Sequence, residues 1–584
     1  MKLKFQLLAI FLLVVSFQTV EAQKLARFIP ADAGMVFGID FGNLSKKADW
    51  DKIRQMEFFQ EMMKESTKAA PNEKLANQWK RMMDDASTIG VSTKEKGYMY
   101  MTPKGGKDYG FGLVFAVSDQ AKFSQFMKDM IAETKQGIEL KKAATYQYMT
   151  KDNMAFAWNG EVGMFLGNTP SSSAYNQDKE ESVIDGDLEI MLKNAMVGNP
   201  SNSILKKKSY VGPAMQSFDM NTWLDYGVIM KLSNDFSGLS GANDPTGGMM
   251  NAIQDMYKDT YVYMDMGFEK GSVDLGTKYF MSSEMTDLWK GVTDVKMNKN
   301  FSKYIPAEGL LGYWGMAYNV ENMVAAMKEM GAKMLGNDMP NVEEMVTESL
   351  HKMGVNMDDK SLFKMMKGDA VFALTGVNEV EREVVTFEYD EDFNKTEVKK
   401  MVSSPLPEFV VMMSYNNKND LMKLIYKGEE MGMLEKKGDH YLIKAPGTPV
   451  EVKLAMHNDI MFLTNNDDLL MNKLKKGYPK KERIGKQHRK MLKKNAQVMY
   501  WNISESIKIA NAMDENLDRQ SGGLMNVGRQ NFESLVITSP KKIKDHLDST
   551  MRLNLSNKKE NSIDQLFRIM NDFYVKTMRK NKSM

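Results

Sequence analysis

The sequence contains no cysteine. That single absence excludes disulfides, thiol nucleophiles, zinc–thiolate sites and an acylated N-terminal cysteine. Histidine is scarce: His351, His440, His457, His488 and His546 are the whole set, and none is paired with another at i+2 or i+4. No local helical or hairpin metal site is therefore encoded, and His440 and His457, which flank a strand turn, read as a surface pair. No G-x-S-x-G elbow occurs for a nucleophile. The glycine clusters "PKGGKDYGFG" and "DPTGGMM" lack the G-x-x-x-x-G-K-[ST] spacing that sets backbone amides and a lysine around phosphates, so they read as turns. Charge of one sign is missing too. Against 78 Lys and Arg stand 76 Asp and Glu, a net charge of +2, and no global field points to nucleic acid as a partner. Beyond the N-terminal segment, no run approaches the roughly 18 consecutive apolar residues of a membrane helix, so no transmembrane segment is read there. No cofactor site is read either.

The N-terminal segment has the build of a secretory signal over residues 1–22. Lys2 and Lys4 supply the positive start, Leu7–Phe17 the short apolar core, and Val20-Glu21-Ala22 the small residues at −3 and −1. Cleavage is expected before Gln23, giving a protein exported to the periplasm or secreted. With no covalent staples, such a chain depends on its core alone. Its length favours two or more domains.

Methionine is abundant, at 55 residues. Soft thioethers could hold copper, but the spacing favours methionine as a flexible core filler. Met323, Met327, Met330 and Met334 recur on one helical face, as do Met249, Ile253 and Met256; Met264 and Met266 alternate about Asp265 as on a half-buried strand.

Three collinear matches suggest one architecture written twice. "RFIPADAGMVFGIDFGNL" (Arg27–Leu44) returns as "KYIPAEGLLGYWGMAYNV" (Lys303–Val320), "MFLGN" (Met164–Asn168) as "MFLTN" (Met461–Asn465), and "TGGMM" (Thr246–Met250) as "SGGLM" (Ser521–Met525). Their separation widens and then narrows, as two compensating insertions would produce. One lies near Glu381–Val402 and one near Asn168–Ser182. The predicted organisation is a first repeat over 23–300 and a second over 301–584, with an inserted hairpin near 381–402. Each repeat runs from a Pro-Ala-acid turn through a strand, amphipathic helices, a strand pair, a further helix, a hairpin and a strand (Tyr226–Leu232; Val498–Ile503). A Gly-rich loop, a helix and a last strand pair follow, and Ser562–Tyr574 closes the second copy. Tight-turn strand pairs interleaved with helices predict an α+β fold with largely antiparallel sheet packed by amphipathic helices.

Two acidic features were weighed for chemistry. The Asp390–Lys395 turn of the inserted hairpin lacks a glycine at the sixth calcium-loop position and a glutamate at the twelfth, and reads as an acidic turn. Asp32 and Glu308, the duplicated acids after Pro-Ala, are expected to accept backbone N–H bonds in their turns. The clearest local anomaly is basic. "KLKKGYPKKERIGKQHRKMLKKN" carries Lys473, Lys475, Lys476, Lys480, Lys481, Arg483, Lys486, Arg489, Lys490, Lys493 and Lys494 against one acid, Glu482. It reads as a solvated linker and helix face, with anionic glycan or lipid binding as the functional alternative. Tyr478 alone offers an aromatic ring, which does not support base stacking.

Ile29–Asp32 soon after the signal, the apolar strand ending in Asp40, "YDEDFN" (Tyr389–Asn394) and "KQHRKMLKKN" (Lys486–Asn495) together resemble an uncharacterised family of exported Bacteroidota proteins, known only as a domain of unknown function. The resemblance implies an envelope location and supplies no activity, substrate or site residue. Many members look like lipoproteins, whereas Gln23-Lys24 stands here in place of the anchoring cysteine, and the basic C-terminal helix is no β-rich sorting tail. The expectation is a non-catalytic binding or scaffold protein whose partner is an unidentified envelope component. The alternative is a carboxylate-based hydrolase with a site in the cleft between the repeats.

Overall fold

The computed structural model describes residues 24–68, 72–105, 108–134, 137–151, 154–169, 184–214, 218–230, 252–335, 342–352, 354–355, 357, 359–389, 395–444, 450–513, 523–541 and 546–582. By internal contacts the chain forms two units. The first joins the chain up to Ser282 with Lys558–Arg579, and the second is built from Ser283–Asn557.

Ten described strands build the first unit: β1 (Met35–Asp40), β2 (Lys96–Gly105), β3 (Asp108–Ala116), β4 (Lys141–Lys142), β5 (Gln147–Lys151), β6 (Met154–Trp158), β7 (Val162–Thr169), β8 (Met220–Asp225), β9 (Tyr261–Glu269) and β10 (Ser272–Phe280). Their order is β4-β5-β6-β7-β3-β2-β1-β8-β9-β10, every pairing antiparallel. The two-residue period sends Val114 and Ala116 to one face, where Tyr98, Ala157, Met164 and Trp223 join them under Leu188, Leu192 and Met196 of the helix Ile184–Met196. It sends Phe115 and Phe156 to the other face, against Phe123 and Met127 of the helix Gln120–Thr134. A sheet clad on both faces explains why its central strands are apolar throughout.

The second unit has β11 (Gly312–Ala317), β12 (Met366–Tyr389), β13 (Lys395–Tyr415), β14 (Leu434–Lys437), β15 (His440–Ile443), β16 (Val452–His457), β17 (Ile460–Thr464), β18 (Asn495–Asn502), β19 (Phe532–Pro540) and β20 (Leu547–Leu555). The order is β14-β15-β16-β17-β13-β12-β11-β18-β19-β20, again antiparallel throughout. One face carries Tyr313, Val371, Val410, Met412 and Val498; the other sets Tyr415, Leu454 and Met461 against Leu421 and Ile425 of the helix Lys418–Glu430. Beyond Gly376 and Glu408, β12 and β13 pair only with each other among the described residues, out to Tyr389 and Lys395. The acidic turn at their tip lies outside the described residues, as do the Thr246–Met250 match and the first two residues of its partner, Ser521 and Gly522.

Strand for strand, the two orders are the same, and the details at the Ile-Pro-Ala turns agree. Ile204 N–H donates to the Ile29 carbonyl at 2.9 Å, and Ile484 N–H to the Ile305 carbonyl at 3.1 Å. Pro30 bridges to Ser203, and Pro306 to Arg483. Asp225 N–H reaches the Gly34 carbonyl and Asn502 N–H the Leu311 carbonyl, both at 2.8 Å. Both residues then cap the following turn, accepting from Val228 N–H at 3.2 Å and Glu505 N–H at 3.1 Å.

Several sequence expectations differ from the structure. The expected strand Tyr226–Leu232 does not form over its described part: β8 ends at Asp225, residues 226–230 are helical, and 231–232 lie outside the described residues. The buried positions of β8 are Asn221, Trp223 and Asp225, so polar residues on the core face hid its alternation. The helix Ser562–Lys582 packs on the first unit, with Phe567 edge-on to Trp50 and Tyr574 edge-on to Phe58. Met327 is exposed and Met323 and Met330 are half-buried, while Ala326 on the same helix is buried. Gly110 and Gly112 of the "PKGGKDYGFG" cluster lie within β3, not in a turn.

Candidate functional site

On one face of the first unit's sheet, the strands and four helical segments enclose a groove of about 410 Å³. β1 contributes Phe37 and Ile39, β2 Met99, and β3 Leu113 and Phe115; the helices contribute Met82, Phe123, Phe126 and Met127. Each strand residue reaches this face because its neighbours Val36, Tyr98 and Val114 point into the core. Phe115 and Phe123 meet edge-on at 5.7 Å, and Phe123 stacks on Phe156 at 6.1 Å. Trp158 Nε1–H beneath them donates to Ser124 Oγ at 2.9 Å, so the floor holds no orphaned indole donor. Met99, Leu113, Phe41 and Met82 stay partly exposed and form the mouth, with Met99 at 49%. The volume falls within the range of small-ligand sites, but polar groups that could orient a substrate are lacking in its lining. Such a surface excludes water and holds apolar groups. Among the described residues that line it there is no activated nucleophile and no acid–base pair.

Sequence reading missed this groove. Its residues come from four strands and four helical segments, and no local motif joins them. The usable signal was the strands' failure to alternate: "MVFGID" and "FGLVFAV" are apolar at nearly every position, which a sheet with one wet face would not show.

The residues singled out from sequence lie elsewhere. Asp32 is exposed, and its turn is closed by the backbone, with Ala33 N–H on the Pro30 carbonyl at 3.2 Å. Among the described residues, neither Asp32 nor Glu308 accepts the expected backbone hydrogen bond; Glu308 is exposed on the second unit. His440 lies opposite Ala455 and His457 opposite Ile460, so they are not cross-strand partners. Among the described residues, no three His, Asp or Glu side chains converge as a metal site would require.

The basic segment is a strap along the second unit. Its apolar residues Ile484 and Leu492 enter the core, beside Leu469 and Leu470 just before it in sequence, which turns the cationic side chains outward. Lys475, Lys476, Lys480, Lys481, Lys486, Lys490, Lys493 and Lys494 are exposed, whereas Lys473, Arg483 and Arg489 are half-buried. Lys473 pairs with Glu482 at 3.5 Å and lies 5.4 Å from the Tyr478 ring centroid. His488 Nδ1 lies 3.1 Å from the Tyr313 hydroxyl, and burial holds this imidazole below its usual pKa. Glu408, which the sequence reading passed over, accepts from Asn378 and from Asn466 at 2.9 Å; burial pushes its carboxyl up despite those amides.

No curated protein matches the chain. Among solved structures, crystal forms I and IV of TP0453 are similar, at 8% and 10% identity and TM-scores of 0.22 and 0.23. The matches cover 44% and 46% of this chain and 79% and 84% of those chains. The family profile described as a domain of unknown function, DUF4836, matches residues 26–563, and the chain belongs to that family.

Proposed function

We propose that this chain is an exported, non-catalytic binding protein of the cell envelope that takes an apolar chain into the groove of its first unit. The observation that carries this reading is the groove itself: about 410 Å³ walled by Phe, Leu, Ile and Met side chains beneath a partly exposed mouth. Burial of a methylene contributes about 0.8 kcal/mol, so a ten-carbon chain gains roughly 8 kcal/mol before the costs of association. The signal-like residues 1–22 support export. The shared strand order supports descent of the two units from one duplicated ancestor, with the groove a specialisation of the first.

The test is a titration of delipidated protein with the environment-sensitive probe N-phenyl-1-naphthylamine, followed by displacement with decanoate. Saturable binding is expected, and Leu113→Arg at the mouth should weaken it at least tenfold without loss of the folded circular dichroism spectrum. Absence of saturable binding would remove the reading.

A further inference from the structure

A second cavity in the first unit lies on the opposite side of the sheet, beneath the Ile-Pro-Ala-Asp turn. It measures about 550 Å³ and is lined by Arg27, Asp32, Tyr100, Thr102, Asn199 and Asn202, among others. Tyr100 is only 5% exposed, yet its hydroxyl has no hydrogen-bond partner among the described residues. An orphaned buried hydroxyl costs about 1–3 kcal/mol, so its retention wants an explanation. The fold does not demand it. Tyr100 lies opposite Val36 in the β1–β2 ladder, and at the matching place in the second unit Ala373 lies opposite Tyr313. Burial first, then the nearby Asp32 charge, pushes the phenol's pKa up, which keeps it a hydrogen-bond donor.

The remaining groups indicate the class of ligand. Arg27 Nη2 pairs with Glu161 at 2.6 Å, which offsets its charge, and its buried Nε, without a partner among the described residues, is one further donor. Asp32 at the rim adds negative charge that disfavours anions further. Among the described residues, the amide of Asn202 forms no side-chain hydrogen bond, and Asn199 uses only Oδ1, as acceptor from Ser201 N–H at 3.0 Å. Hydroxyls, amides and a carboxylate offer donors and acceptors side by side, the pattern that matches vicinal hydroxyls, each of which both donates and accepts. Phe28, Pro30 and the exposed Val197 supply apolar surface for C–H faces.

We infer that this cavity is a binding site for a neutral polyhydroxylated ligand of mono- to disaccharide size, with Tyr100 as its buried hydrogen-bonding group. It is independent of the apolar groove. The test is a glycan array probed with the full mature chain, followed by calorimetry on the strongest neutral mono- or disaccharide retained. Tyr100→Phe deletes one unpartnered oxygen, so the unliganded melting temperature should stay or rise while affinity falls at least tenfold. Asp32→Asn, at an exposed position, should also weaken the sugar, and both variants should bind N-phenyl-1-naphthylamine as the wild type does. Retention of no neutral carbohydrate, or equal affinity in Tyr100→Phe, would overturn the assignment.

Discussion

Phe115 lies directly opposite Gly163 in the β3–β7 ladder, and its ring fills the space that a Cβ at position 163 would need. An added Cβ would meet the ring 2.3 Å away. Gly163→Ala should therefore push Phe115 off the groove floor and destabilise the protein by about 1–3 kcal/mol. Urea unfolding checks the stability, and the same variant should bind the naphthylamine probe less tightly.

His488 gives a pH dependence with a definite sign. Buried between Tyr313 and Tyr500, its pKa in the fold lies below the 6.5 of an unfolded chain. The unfolded state therefore takes up the proton first. The contribution of the neutral imidazole is full above pH 6.5 and is lost as pH falls from 6.5 through the folded value. His488→Gln should flatten the decline in unfolding free energy as pH falls below 6.5, relative to wild type. A slope unchanged by the substitution would remove this assignment.

The basic strap predicts a salt-sensitive surface. Replacing Lys475, Lys476, Lys480 and Lys481 by Gln removes exposed charge without touching the buried Leu469, Leu470, Ile484 or Leu492. Elution from heparin resin should move to lower salt while the melting temperature holds within about 2 °C. Unchanged elution would mean that the lysines serve only to solvate the strap.

Export predicts a defined N-terminus. Protein recovered from the envelope or medium of the producing cell should begin at Gln23, as read by N-terminal sequencing or intact mass. Recovery of chain that retains Lys2 and Lys4 would contradict it.

The α+β class and the antiparallel pairing were legible because turns and periodicity are local. The "FAWNGEVG" and "LAMHNDI" hairpins illustrate this: Asn159 Oδ1 accepts from the Glu161 and Val162 amides, and Asn458 and Asp459 adopt positive φ. β8 was not legible, since Asn221 and Asp225 stand on its core face, where Asn221 Nδ2 donates to the Tyr263 hydroxyl and Asp225 pairs with Lys207, partners that are distant in sequence. The destination of the C-terminal helix was equally hidden. Its start is held by Gly271 N–H on the Glu560 carbonyl and by Asn561 Nδ2 on the Phe268 carbonyl, across nearly 300 residues of sequence. The basic strap was seen as charge, but its role in seating Pro306 and Ile305 through Arg483 and Ile484 depends on contacts that no local pattern announces. Asp32 was noticed for its repetition, and the expected backbone hydrogen bonds do not form.

The most direct test of the apolar groove uses the protein's own methionines. With [¹³C-methyl]methionine labelling and assignment by single Met→Leu variants, the delipidated chain is titrated with decanoate. The groove predicts saturable shifts at the Met82, Met99 and Met127 methyls, which line it, and none at Met164 or Met412, which are buried in the cores of the two units. Unmoved signals from those three methyls at saturating decanoate would contradict the account.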